Sequence, residues 1–187
     1  MNLKKKILIV GFPNSIHSKN WTNSINLEKF DVFFYPSNSK KLIINKKIKF
    51  YNNHFKQKLF KKIFFFILSL ISLRKLLLMP KVFFKQLVHN KYILSSYVSY
   101  LKPDIIHCLE FQHSGYLIYE SLRKDKLNSY KLIISNYGSD IFHYEKFNFH
   151  KKKIREILNF FNEVVCESKR DINLCKKYNH QIKTHLI

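Results

Sequence analysis

KLIISNYGSDIFH, residues 131–143, is the stretch on which the reading of the fold turns. A short apolar run, Leu132-Ile133-Ile134, gives way to Ser135 and Asn136 and then to Gly138-Ser139-Asp140. That order is expected of a buried strand delivering polar groups into a turn, and in open α/β sheets ligands bind beyond the carboxyl ends of the strands. Gly138 can take a positive φ or admit a ligand close to the backbone, while Ser139 and Asp140 supply a hydroxyl and a carboxylate. The competing reading is structural: a strand-to-helix turn with Asp140 as the helix cap.

Working outward, the same pattern recurs. Upstream, Asp104-Ile105-Ile106-His107-Cys108-Leu109 reads as another buried strand, and its outlet, Glu110-Phe111-Gln112-His113-Ser114-Gly115, is a second polar cluster. Ser114 is the expected cap of a helix running to about Lys124, whose first N–H groups can hold an anion. Between 82 and 101, Phe83, Leu87, Leu94, Val98 and Leu101 recur at helical spacing, and that helix should end before Pro103. Near the N-terminus, Ile7-Leu8-Ile9-Val10 lies between lysines and Gly11 and reads as the first buried parallel strand. The loop after it has one glycine, so it is not the dinucleotide fingerprint G-x-G-x-x-G. It is expected to be a polar loop carrying Ser15 and His17, followed by a short helix at 22–29. Asp31-Val32-Phe33-Phe34-Tyr35 is the second strand, closed by Pro36, and one further strand is expected at 41–44 within a loop.

Downstream, Ile154, Ile157, Leu158 and Phe161 form the seam of a helix packed on the sheet. Glu163–Glu167 is the expected last strand, and Ser168-Lys169-Arg170-Asp171 opens a final helix with no strand after it. Strands alternating with helices, and polar clusters at the strand outlets, argue for one doubly wound, Rossmann-like α/β domain over 1–187.

The chain has 187 residues, 46% of them hydrophobic and 25% charged, which is globular rather than disordered. Its net charge of +22 favours anionic partners. Lys, Asn, Ile, Phe and Tyr are abundant throughout, however, so much of the excess lysine is expected on a solvated surface. Only Arg74, Arg123, Arg155 and Arg170 can offer a guanidinium fork to a phosphate. Charge alone supports nucleic acid: no helix-turn-helix, zinc or RNA-recognition motif accompanies it, so no specific nucleic-acid partner is expected. The three cysteines, Cys108, Cys166 and Cys175, form no C-x-x-C pair, and the apolar run 7–10 is too short for the core of a secretory signal, so none is expected. A reduced, cytoplasmic setting is the expectation. His107, Cys108 and His113 match no zinc spacing, so no metal is expected. The segment 57–79 is apolar and basic; its uncharged core, Ile63–Leu73, is shorter than the roughly 20 residues of a membrane span. It either lies in the membrane interface with its cations on anionic headgroups or is a buried helix.

Four runs, KILIVGFPNSIHSKNW, KPDIIHCLEFQHSGYL, KLIISNYGSDIF and NEVVCESKRDINLCKKYN, together resemble in order and spacing the N-terminal, acceptor-binding domain of glycosyltransferase family 4, the retaining GT-B enzymes. The resemblance spans nearly the whole chain outside about 37–80. It implies transfer of a sugar from a nucleotide-sugar donor to a cell-envelope saccharide or lipid-linked acceptor, peripheral on the cytosolic face of the membrane. No cofactor is implied, since the donor is a substrate held mainly by a second Rossmann-like half. That half has no counterpart here, so the resemblance implies a fragment, a truncated reading frame, or a split subunit that works with a separate donor-binding subunit. Gly11, Ser15 and His17 would face the cleft, and Glu110, His113, Ser114, Gly115, Tyr137, Gly138, Ser139 and Asp140 would line the acceptor side. Many relatives have His before Gly-Ser-Asp where this chain has Tyr137. No nucleophile is identifiable. The alternatives are a non-catalytic module for anionic lipid or saccharide, and a basic nucleic-acid-binding protein.

Overall fold

The computed structural model describes residues 4–37, 48–50, 91–124, 130–138 and 140–187. In chain order the elements are β1 (Lys5–Gly11), α1 (Ile16–Ser24), β2 (Phe30–Pro36), a two-residue β3 (Lys49–Phe50), α2 (Lys91–Leu101) and β4 (Ile105–Cys108). A single π-helical turn (Phe111–Gly115) then runs into α3 (Tyr116–Leu122), followed by β5 (Lys131–Asn136), α4 (Asp140–Tyr144), α5 (Asn148–Phe160), β6 (Glu163–Cys166), α6 (Lys169–Tyr178) and β7 (Lys183–Leu186).

The strands form one sheet in the order β3-β2-β1-β4-β5-β6-β7, every neighbouring pair parallel. From β1 the chain winds outward to β2 and β3, returns to β4 on the other side of β1, and winds outward again to β7. This is a doubly wound, Rossmann-like α/β fold whose direction reverses between β1 and β4. The register levels the carboxyl ends, with Val10 opposite Cys108 and Cys108 opposite Ile134.

Both faces of the sheet are covered, which is why its inner strands carry apolar runs such as Ile7–Val10 and Leu132–Ile134 rather than an alternating pattern. Leu8, Val10, Ile106, Cys108 and Ile134 meet α2, α3, α5 and α6 in the larger core, through Leu94, Tyr97, Ile118, Ile154, Ile157 and Cys175. The opposite residues, Ile7, Ile9, Val32 and Phe34, form a smaller core against Trp21 and Ile25 of the α1 region. The α2 helix ends at Leu101; Lys102 turns to φ +49° and Pro103 follows, a residue that cannot continue a helix.

Three expectations are corrected. The first helix covers 16–24 rather than 22–29, because Ser15 adopts extended backbone and its Oγ accepts the His17 N–H. Its inward-facing residues are Ser18 and Thr22, so no apolar seam announced it. Ser114 does not cap the helix after β4; the carboxylate of Glu110 does. Nor is β6 the last strand. Lys183–Leu186 adds β7 at the sheet edge, where half-exposed residues leave no apolar run to read. The expected strand at 41–44, the apolar segment 57–79 and the 82–90 part of the expected 82–101 helix lie outside the described residues. Among the described residues no helix is long and apolar enough to cross a membrane.

Candidate functional site

The outlets of β1, β4 and β5 lie side by side on the carboxyl edge of the sheet, around the point where its winding reverses. Glu110 ties the middle one. Its Oε1 accepts the Ser114 N–H at 2.9 Å and the Ser114 hydroxyl at 2.6 Å, and its Oε2 accepts the His113 N–H at 3.2 Å. Ser37, just beyond β2, adds its hydroxyl to Oε1 at 3.4 Å. Both oxygens are therefore engaged inside the protein, and Glu110 and Ser114 are buried. Of the cluster Glu110–Gly115, this leaves His113 exposed to solvent, with its ring edge-on to Phe12 of the β1 outlet at 4.8 Å.

Gly115 is a packing glycine. A Cβ there would meet Ile134 Cδ1 at 2.8 Å and the Glu110 carbonyl oxygen at 3.2 Å. Gly11 is similar, with Leu109 Cβ and Ser18 Oγ both 3.1 Å from where its Cβ would stand. Gly138 differs: it holds φ +44°, the left-handed region that favours glycine, with Glu167 Oε2 in ordinary contact range, 4.0 Å from where its Cβ would stand. The Arg170 guanidinium donates to its carbonyl oxygen at 2.8 Å while lying over the Phe142 ring at 4.3 Å. Ser139 lies outside the described residues.

Asp140 opens α4 and joins the β5 outlet to the β4 outlet. Its Oδ2 accepts the Phe111 N–H at 3.3 Å, and its carbonyl oxygen accepts the Gln112 side-chain amide at 2.7 Å. Burial drives its pKa up; the Phe111 N–H opposes this, and the nearby Glu110 charge adds to it, leaving the carboxyl at about 7. Asp140 is thus poised to exchange a proton near neutrality, a property that concentrates at functional sites. It does not act as the cap anticipated from sequence, since its side chain reaches the neighbouring loop instead.

A wall of rings closes the β1 side. His17 stacks on Tyr137 with centroids 4.0 Å apart, joining the β1 and β5 outlets. Burial pushes the Tyr137 phenol up to about 12, beside Ser135 and Trp21. Behind it, His107 shares a 2.8 Å hydrogen bond with Ser135 and meets Trp21 edge-on at 4.4 Å. Burial lowers the His107 pKa to about 4, so this imidazole is neutral at physiological pH. Ser15 serves as the cap of α1.

Next to His113 is an open cavity of about 360 Å³ lined by Lys91, Gln112, His113, Tyr116, Leu117 and Glu120. Sequence reasoning missed Gln112, Tyr116 and Glu120 because they stand on a π turn and a helix face whose direction no local pattern reveals. It also missed the contact of Arg170 with Gly138, which spans 32 residues. Among the described residues no group of three or more His, Cys, Asp or Glu side chains could hold a metal ion. No protein-family model matches this chain, and no curated protein matches it.

Proposed function

We propose that this chain binds a saccharide acceptor in the crevice between the β1 and β4 outlets, as the acceptor-binding half of a retaining glycosyltransferase using a nucleotide-sugar donor. The observation that carries the reading is the convergence of Asp140, near-neutral in pKa, with exposed His113 and the His17–Tyr137 stack at the reversal point of the sheet. Open α/β sheets bind ligands at that point. Each group has a use there. Asp140 can donate to or accept from a sugar hydroxyl, His113 can add a second hydrogen bond, and the stacked rings offer an apolar face to the C–H side of a sugar ring. Holding the acceptor hydroxyl in line with the donor is itself a large part of such a reaction. The donor would be held by a second Rossmann-like half.

The test is a titration of the full chain with cell-envelope oligosaccharides and with nucleotide sugars, followed by saturation-transfer NMR, plus turnover with membrane extract in the presence of a donor-binding half. Saccharide binding that weakens at least tenfold in Asp140→Asn or His17→Ala supports the reading. A folded chain that binds no saccharide, or whose binding ignores both substitutions, overturns it.

A further inference from the structure

Every exposed phenylalanine among the described large hydrophobics falls within one short stretch. Phe142, Phe147 and Phe149 are 42%, 51% and 65% exposed, at the end of α4 and the start of α5. The stretch reads FHYEKFNFHKKK, residues 142–153, and follows directly from the β5 outlet. Exposed aromatic groups clustered in this way mark an interaction surface rather than the ordinary scatter of apolar side chains.

The charges around the rings indicate what they meet. Lys146 lies over the Phe142 ring at 5.1 Å and Arg170 over the same ring at 4.3 Å. Exposed Lys151 and Lys152 follow Phe149 by two and three positions and form no ion pair among the described residues. The single acid of the stretch, Glu145, is taken up by Lys177 at 3.2 Å and the Tyr178 hydroxyl at 2.7 Å. Its neighbours therefore leave an unneutralised excess of positive charge around apolar rings. Rings that enter the acyl boundary while lysines reach back to phosphate headgroups are the pattern of an interfacial membrane contact. Nucleic acid fits less well: the guanidinium over the Phe142 ring, Arg170, already binds the Gly138 carbonyl and Asp171, that of Arg155 stands over the Tyr178 ring, and lysines lack the fork that phosphate recognition favours.

We propose that the face carrying Phe142, Phe147, Phe149, Lys146, Lys151 and Lys152 docks on a bilayer rich in anionic phospholipid. The surface adjoins Asp140, so docking would hold the carboxyl edge of the sheet close to the headgroups. The inference stands independently of the transferase reading, since it concerns attachment and not turnover.

The experiment is vesicle flotation of the full chain with phosphatidylcholine vesicles and with vesicles containing phosphatidylglycerol. Folding of every variant is checked by circular dichroism. Wild type should bind the anionic vesicles and ignore the neutral ones. Each basic residue near an anionic surface contributes about fivefold in partitioning, so Lys151→Glu/Lys152→Glu should weaken binding more than tenfold. Phe147→Ser/Phe149→Ser, which leaves the charge unchanged, should also weaken it at least tenfold, whereas Lys29→Glu/Lys124→Glu, the same charge change at exposed positions elsewhere, should leave most of it. Equal losses in the two charge-reversal variants with no effect of the serines would mean delocalised charge and would overturn the proposal. So would wild-type indifference to anionic vesicles, or binding to duplex DNA in preference to them.

Discussion

Replacing Asp140 by Asn separates its titration from every other effect of pH on this fold. The carboxyl has an ordinary value of 3.8 and stands at about 7 in the folded chain, mainly through burial. Between those values the unfolded chain has released the proton and the folded chain retains it, so stability falls as pH rises through that window. At about 1.4 kcal/mol per pH unit the loss reaches about 4 kcal/mol by pH 7. Asn is isosteric, keeps an oxygen for the Phe111 N–H and cannot ionise, so Asp140→Asn removes the loss. His107 acts in the opposite sense. Its pKa is depressed from 6.5 to about 4, so its contribution is present above pH 6.5 and is lost as pH falls toward 4. That contribution is common to both proteins and cancels in their difference. Urea unfolding followed by far-ultraviolet circular dichroism, from about pH 4 to about pH 7.5, should show the variant gaining on wild type by about 3–4 kcal/mol across the range. A difference that stays flat with pH, or slopes the other way, would refute the assignment of a near-neutral carboxyl.

Glu110→Ala should cost about 3 kcal/mol, because the buried N–H and hydroxyl of Ser114 and the part-buried N–H of His113 lose their acceptor. Hydrogen exchange should quicken at those two amides, and unchanged exchange would count against the cap. Gly115→Ala should destabilise by about 1–3 kcal/mol through contact with Ile134 and the Glu110 carbonyl, read as a lower urea midpoint with an unaltered slope. Cys108, Cys166 and Cys175 are buried, and burial holds the Cys108 thiol well above its usual range. Hydrogen bonding to Cys166, with burial, does the same for Cys175. Iodoacetamide should leave all three unmodified in the native chain and label them in urea; rapid native labelling of Cys108 would contradict this burial.

The sheet was legible in the sequence wherever a strand is buried on both faces. Ile7–Val10 and Leu132–Ile134 are uninterrupted apolar runs because both sides of them are covered, and Ile105–Cys108 is broken only by His107, whose ring bonds Ser135. Lys183–Leu186 was not legible, since an edge strand needs no such run. The three outlets could be located from their polar clusters, but not which of their groups face a ligand. Glu110 and Ser114 satisfy one another four residues apart, and nothing in their spacing distinguishes that from two groups facing solvent. The elevated pKa of Asp140 arises from residues distant in sequence and becomes visible only once β4 and β5 are adjacent. Glu163 is a similar case: burial works against its ionisation, yet hydrogen bonds from Lys131, Lys183 and His185 across the strands hold its pKa at about 2.

The two hydrogen bonds that Asp140 receives from Phe111 and Gln112 fasten the β4 and β5 outlets into a single body. Two loops that would otherwise be ordered separately when a ligand arrives are already fixed relative to each other. Little conformational entropy then remains to be lost on association, which allows even a ligand making few contacts to be held in one orientation.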